Sequence, residues 1–131
     1  MKVFLVEDSP IIRERLLALL GGIADVETVG EAAGADEAVQ GILETRPDAV
    51  VLDIQLGQGS GFDVLRRLRE EGRACEVLML SNHATPPYRR AAQRLGVNHI
   101  FDKSTEFERV RDIIAAHAAS QSLSRQLERQ P

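Results

Sequence analysis

The chain has 131 residues, enough for one domain with a real core, and its 44% hydrophobic and 27% charged content is ordinary for a soluble globular protein. A net charge of −4 and a pI near 5.4 argue against non-specific nucleic-acid binding. A lone cysteine, Cys75, allows no internal disulfide, and no apolar run approaches signal-peptide or transmembrane length, so a cytoplasmic protein with no membrane partner is expected.

Residues 2–6 read as a short apolar strand ended by Glu7 and Asp8. Ser9-Pro10 opens a helix, with Ser as N-cap and Pro in the first helical position. Ile12, Leu16, Leu19 and Leu20 recur at helical spacing, and Gly21-Gly22 closes that helix. Residues 26–32 predict a second, more exposed strand. Gly34-Ala35-Asp36 leads into a second helix with Ala38, Val39, Ile42 and Leu43 as its apolar stripe; Pro47 stops it, since the residue before a proline is biased away from helix. Residues 49–52 are continuously apolar and run into Asp53, with Gly57, Gly59 and Gly61 beyond, the pattern of a strand buried on both faces.

A third helix starts near Gly61 and runs through Val64, Leu65 and Leu68 to Gly72. Residues 76–80 predict a fourth buried strand, ending at Ser81. Pro86-Pro87 seeds a fourth helix capped by Gly96, and residues 97–101 form a fifth strand ending at Asp102-Lys103. A fifth helix opens within residues 104–108, where Thr105 and Glu108 make a capping-box pattern; Val110, Ile113 and Ile114 form its inner face. The domain is placed at 1–118. Residues 119–131 are a polar C-terminal tail that either extends the last helix, with Leu123 and Leu127 as a sparse stripe, or frays.

Strict strand–helix alternation predicts an α/β fold, a doubly wound (βα)5 parallel five-stranded sheet in the flavodoxin-like order 2-1-3-4-5 with right-handed crossovers. Ligands bind at the carboxyl ends of the strands in such sheets. Those ends carry Glu7 and Asp8, Asp53, Ser81 and Lys103. The first and third strands are neighbours in this order, so three carboxylates crowd together. A divalent cation would relieve their repulsion, and oxygen-only donors point to Mg²⁺. A hydroxyl and an ammonium beside them complete an apparatus for phosphoryl transfer, with Asp53 as a nucleophile that is solvent-reachable yet rigidly held. Lys103 stands out further because the chain uses fourteen arginines and only two lysines. A compact ammonium suits such a site better than a planar fork, although Asp102 also offers Lys103 a surface partner. His83, His99 and His117 are scattered along the chain, and none is read as a metal ligand; His83, two residues past Ser81, is a candidate for the mouth of the site.

Glu7-Asp8, Asp53, Ser81 and Lys103, at these separations on five strand–helix units, resemble the receiver domain of two-component response regulators over residues 1 to about 118. The resemblance implies a stand-alone, chemotaxis-regulator-like phosphorylation switch and not a self-contained enzyme. It implies that the acidic pair and Asp53 hold Mg²⁺ together with the backbone carbonyl two residues after the acceptor, here Gln55, with Asp8 as a direct ligand and Glu7 acting mostly through water. Ser81 then matches the switch hydroxyl and Lys103 the family's lysine. The implied donor is a phosphohistidine on a sensor histidine kinase or histidine phosphotransfer protein. The implied output is a downstream protein partner or self-association through the fourth helix, fifth strand and fifth helix, with no output domain after residue 118 and no direct nucleic-acid contact.

Four positions depart from the family pattern. Ile100 stands where an aromatic is usual, which removes the usual rotamer switch; Gly57 replaces a common Pro, which loosens the loop after Asp53. Asn82 is larger than usual beside Ser81 and would narrow access to Asp53. Ser104 follows Lys103 in place of the frequent Pro, so no cis peptide is expected there. Ile100 and Asn82 motivate one alternative, a pseudo-receiver binding module that works without phosphorylation. An aspartyl-phosphate hydrolase is a weaker alternative, because the Asp-x-Asp pair of those enzymes is missing here.

Overall fold

In the computed structural model, which describes residues 1–73, 75–82, 85–97 and 99–129, strands and helices alternate throughout. They are β1 (Lys2–Val6), α1 (Pro10–Gly21), β2 (Glu27–Ala32), α2 (Ala35–Thr45), β3 (Ala49–Asp53), α3 (Gly61–Glu70), β4 (Glu76–Ser81), α4 (Pro86–Arg94), β5 (His99–Asp102) and α5 (Phe107–Glu128). All strand pairs are parallel, in the order β2-β1-β3-β4-β5 expected from the sequence. The reason lies in the strands themselves. β3 is buried along its whole length and can only be interior, whereas β2 is half-exposed and takes an edge.

Side chains alternate across the sheet and build one core on each face. Phe4, Val6, Val50, Leu52, Met79 and Ile100 pack under α2, α3 and α4. Val3, Leu5, Val51, Leu78, Leu80 and Phe101 pack under α1 and α5 through Leu16, Leu20, Val110 and Ile114. On the first face the Phe4 ring fits between two glycines. A Cβ at Gly30 of β2 or at Gly41 of α2 would lie 2.6 Å from that ring.

Helix starts follow local chemistry in part. Ser9 accepts from the backbone N–H of Ile12 at 3.4 Å, with Pro10 behind it. Ser60 and Asp63 form a full capping box at α3, with reciprocal bonds of 3.2 and 3.0 Å, which the sequence reading did not single out. The capping box expected at Thr105 and Glu108 does not form. Asp102 instead folds the chain back, accepting from the Ser104 N–H at 2.8 Å, and the Glu106 carboxylate accepts from the Asp102 N–H at 3.2 Å. Helix α5 therefore begins only at Phe107, with no side-chain cap. Two strands begin later than expected: β2 at Glu27 and β5 at His99, Val97 being a buried turn residue bonded back to Ala92. At the other end α5 continues through the polar tail to Glu128, and Leu123 and Leu127 ride on it exposed.

Candidate functional site

The sheet brings the residues at its carboxyl end together. Val6 pairs with Leu52, Asp53 with Leu80 and Ser81 with Asp102, so Glu7, Asp53, Ser81 and Lys103 each lie at or one step beyond the end of adjacent strands. Backbone bonds run past these ends and hold them: Glu7 N–H to Ala32 O at 3.0 Å, Ile54 N–H to Leu80 O at 3.0 Å, Lys103 N–H to Ser81 O at 2.9 Å. Behind Asp53 the helix start is pressed close, since a Cβ on Gly61 would stand 2.5 Å from the Asp53 carbonyl oxygen. The sequence reading used Gly61 as a turn residue beyond the strand and as a helix start; its role in this close approach is visible only in three dimensions.

Lys103 crosses the pocket. Its Nζ lies 2.6 Å from Asp53 Oδ2, 3.0 Å from Glu7 Oε1 and 2.9 Å from Glu7 Oε2. It is not the surface partner of Asp102, whose carboxylate is taken up by Ser104. Asp53 Oδ1 accepts from the Gln55 N–H at 3.1 Å, and Glu7 Oε1 from the Ser9 N–H at 3.2 Å. Asp53 is only 2% exposed, which corrects the expectation of a solvent-reachable carboxylate. Its strand is flanked on both sides, and the Lys103 side chain lies across its tip. Glu7 and Ser81 are equally buried, whereas Asp8 and the Gln55 side chain are exposed at the rim. Asn82 is exposed beside Ser81, and His83 lies outside the described residues. Ile100 is a buried core residue.

Burial dominates the electrostatics. It pushes Glu7 up to about 7, with the Asp53 charge adding to the effect and Lys103 opposing it. Burial likewise raises Asp53, against the pull of Lys103 and the Gln55 N–H. For Lys103 burial works against the charge, but hydrogen bonds to Asp53 and Glu7 outweigh it and hold the ammonium above its ordinary value. Two acids thus compete for one cation. Oxygens of Glu7, Asp8 and Asp53 lie within 4.8 Å of one another. The buried Glu7 Oε2 has no hydrogen bond of good geometry despite its closeness to Lys103. An all-oxygen donor set with one under-satisfied oxygen and an exposed carboxylate at Asp8 fits a hard, partly hydrated cation of the Mg²⁺ kind.

Two residues set aside in the sequence also meet. His99 Nε2 lies 3.3 Å from Glu76 Oε1, and His117 Nε2 lies 4.0 Å from the same oxygen. Histidines far apart in sequence gave no spacing signal for this cluster.

Among known families, the response regulator receiver domain matches residues 3–115. The chain belongs to this family. It is similar to the transcriptional activator protein ExaE of Pseudomonas putida, 35% identical over 136 residues that cover 100% of this chain and 64% of that protein. It is also similar to the transcriptional regulatory protein BtsR of Salmonella typhi, 42% identical over 79 residues, which are 60% of this chain and 33% of BtsR. A LuxR-family two-component response regulator from Aurantimonas sp. SI85-9A1 superposes with a TM-score of 0.82 at 30% identity, covering 91% of this chain and 85% of that one. The chain matches only part of the length of these curated relatives: a third of BtsR and under two thirds of ExaE. Receiver domains are regulatory phosphoacceptors that work with histidine kinases or phosphotransfer proteins, and this chain is a phosphorylation-dependent switch of that class. Nothing in the comparisons favours a pseudo-receiver. No helix among the described residues is long and apolar enough to cross a membrane.

Proposed function

We propose that Asp53 is the residue that receives the phosphoryl group, with Glu7, Asp8, Ser81, Lys103 and the Gln55 carbonyl serving it. The observation that carries this reading is the contact of the Lys103 ammonium with the Asp53 carboxylate at 2.6 Å. An Asp53 oxygen attacks the phosphorus of a phosphohistidine, the P–N bond breaks, and the imidazole leaves with the bonding pair. The Lys103 ammonium favours the ionised, nucleophilic form of Asp53 and so opposes burial, which still leaves the carboxyl above its ordinary value. As charge builds on the phosphoryl oxygens, the Lys103 ammonium passes from the carboxylate to one of them, and the Ser81 hydroxyl donates to another. Mg²⁺, held by Asp8, Asp53 and the Gln55 carbonyl with Glu7 acting through water, would supply neutralising charge at the remaining oxygen.

The signal leaves through the segment that carries Lys103. Glu106, three residues on, accepts from Arg89 of α4 at 3.4 Å, and Arg89 also donates to the Ile100 carbonyl at 3.1 Å. A shift of Lys103 toward a phosphoryl group therefore pulls on α4 through this ion pair. With the aromatic position filled by buried Ile100, the Glu106–Arg89 link takes over the reporting role. The partner face remains that of α4, β5 and α5, facing a downstream protein or a second copy of the chain. The stand-alone, chemotaxis-regulator-like reading rests on the sequence alone, and the longer relatives lend it no support.

Incubation with Mg²⁺ and acetyl phosphate tests the assignment. The native chain should gain one base-labile phosphate and Asp53→Asn none. Absence of label on the native chain overturns the phosphoacceptor reading in favour of a pseudo-receiver. Equal label on the variant overturns the choice of Asp53.

A further inference from the structure

We propose that Glu76, His99 and His117 form a second, separate metal site, for a zinc-class transition-metal ion. It lies at the opposite end of the sheet from Asp53. Glu76 is the first residue of β4 and His99 the first of β5, while His117 lies midway along α5. His99 pairs with Leu78, two residues after Glu76, so Glu76 and His99 point to the same face of the sheet, the one covered by α5. His117 lies three residues after buried Ile114 and seven after buried Val110, on the helix stripe that faces this strand edge.

The donor atoms are already gathered. One ligand atom from each of the three residues lies within 4.8 Å of the other two, and Glu76 Oε1 stands 3.3 Å from His99 Nε2 and 4.0 Å from His117 Nε2. Donors bound to tetrahedral zinc at 2.0–2.1 Å sit about 3.3 Å apart, so of the three edges the Glu76–His99 edge already matches, the Glu76–His117 edge at 4.0 Å needs a shift of under about 1 Å, and the His99–His117 edge starts within 4.8 Å. The His99 ring is oriented by stacking on Phe101 at 6.2 Å, and the His117 ring meets it edge-on at 81°. Two imidazoles and one carboxylate leave a fourth tetrahedral position for water, and each group is exposed by roughly a third, so an ion can enter. A surface ion pair needs only one histidine; here two converge on the same oxygen. The imidazoles also separate this site chemically from the all-oxygen acidic pocket, which suits a hard ion.

The test is calorimetric titration of the chain with Zn²⁺ in excess Mg²⁺, with Co²⁺ absorption as a second readout and circular dichroism to check folding. One equivalent should bind, Co²⁺ should give the intense visible bands of tetrahedral coordination, and His99→Gln and His117→Gln should each weaken binding at least tenfold while staying folded. Asp8→Asn should leave zinc binding unchanged. Binding that survives both histidine substitutions, or that vanishes with Asp8→Asn, overturns the site. So does a folded native chain that takes up no zinc. None of these outcomes bears on phosphorylation at Asp53, which is read separately by base-labile phosphate.

Discussion

Lys103 offers one positive charge to two buried carboxylates, Asp53 and Glu7. Glu7, held up at about 7 against an ordinary 4.5, keeps a proton in the folded chain over a range where the unfolded chain has lost it. Stability should therefore fall as pH rises from about 4.5 to about 7, and level off above that. Urea midpoints taken across this window should show the decline, and Glu7→Gln should flatten it. Lys103 has the same sign in a much higher pH window. Its raised value adds stability that is complete below its unfolded value and is lost only as pH rises through the folded one. Replacing it by Met strands two buried acids with no cation. Lys103→Met should cost on the order of 3 kcal/mol at pH 8 by the same urea assay, and less at pH 5, where the acids can take up protons.

At the scale of the elements, the packing of β1, β2 and α2 around the Phe4 ring sets a tolerance. Gly41 sits inside α2, where alanine would ordinarily gain about 1 kcal/mol of helix stability. Here the new methyl group would meet the Phe4 ring at 2.6 Å. Gly41→Ala should instead destabilise by about 1–2 kcal/mol in thermal melts, and Phe4→Leu combined with it should recover part of the loss. Neither glycine at this ring was legible as a packing residue, because nothing local marks two glycines as facing one aromatic. What was legible had a period or a boundary of its own. Apolar runs at 49–52 and 77–80 marked the interior strands, and Ser9-Pro10 marked a helix start. Thr105 and Glu108 had the local pattern for a cap, but Asp102 and Glu106 turn the chain first and the helix starts beyond it. The strand-end carboxylates were legible because the topology puts strand ends together. The burial of Asp53 was not, since it depends on where a side chain fifty positions away comes to rest.

At the scale of the whole molecule, Arg89 links the segment that carries Lys103 to the α4–β5–α5 face. Arg89 is the point where α4 touches both the Ile100 carbonyl and Glu106, just beyond Lys103. If the signal passes here, Arg89→Ala should leave phosphorylation of Asp53 intact and uncouple α4 from it. Amide shifts of α4 on adding a beryllofluoride phosphate mimic should shrink, with a coupling loss on the order of 1 kcal/mol. Shifts unchanged from those of the native chain would remove Arg89 from the route. The zinc-class site lies on the same β5–α5 edge but at the far end, so the two ends of that edge answer to different chemistry.

The shared lysine has a consequence for heredity as much as for chemistry. Above about pH 7, where Glu7 ionises as well, two acids around one ammonium leave the folded chain with an excess buried charge, and substituting Asp53 by its neutral isostere removes it. A selection for heat resistance alone would therefore favour the loss of Asp53 and retain a sturdier, silent protein.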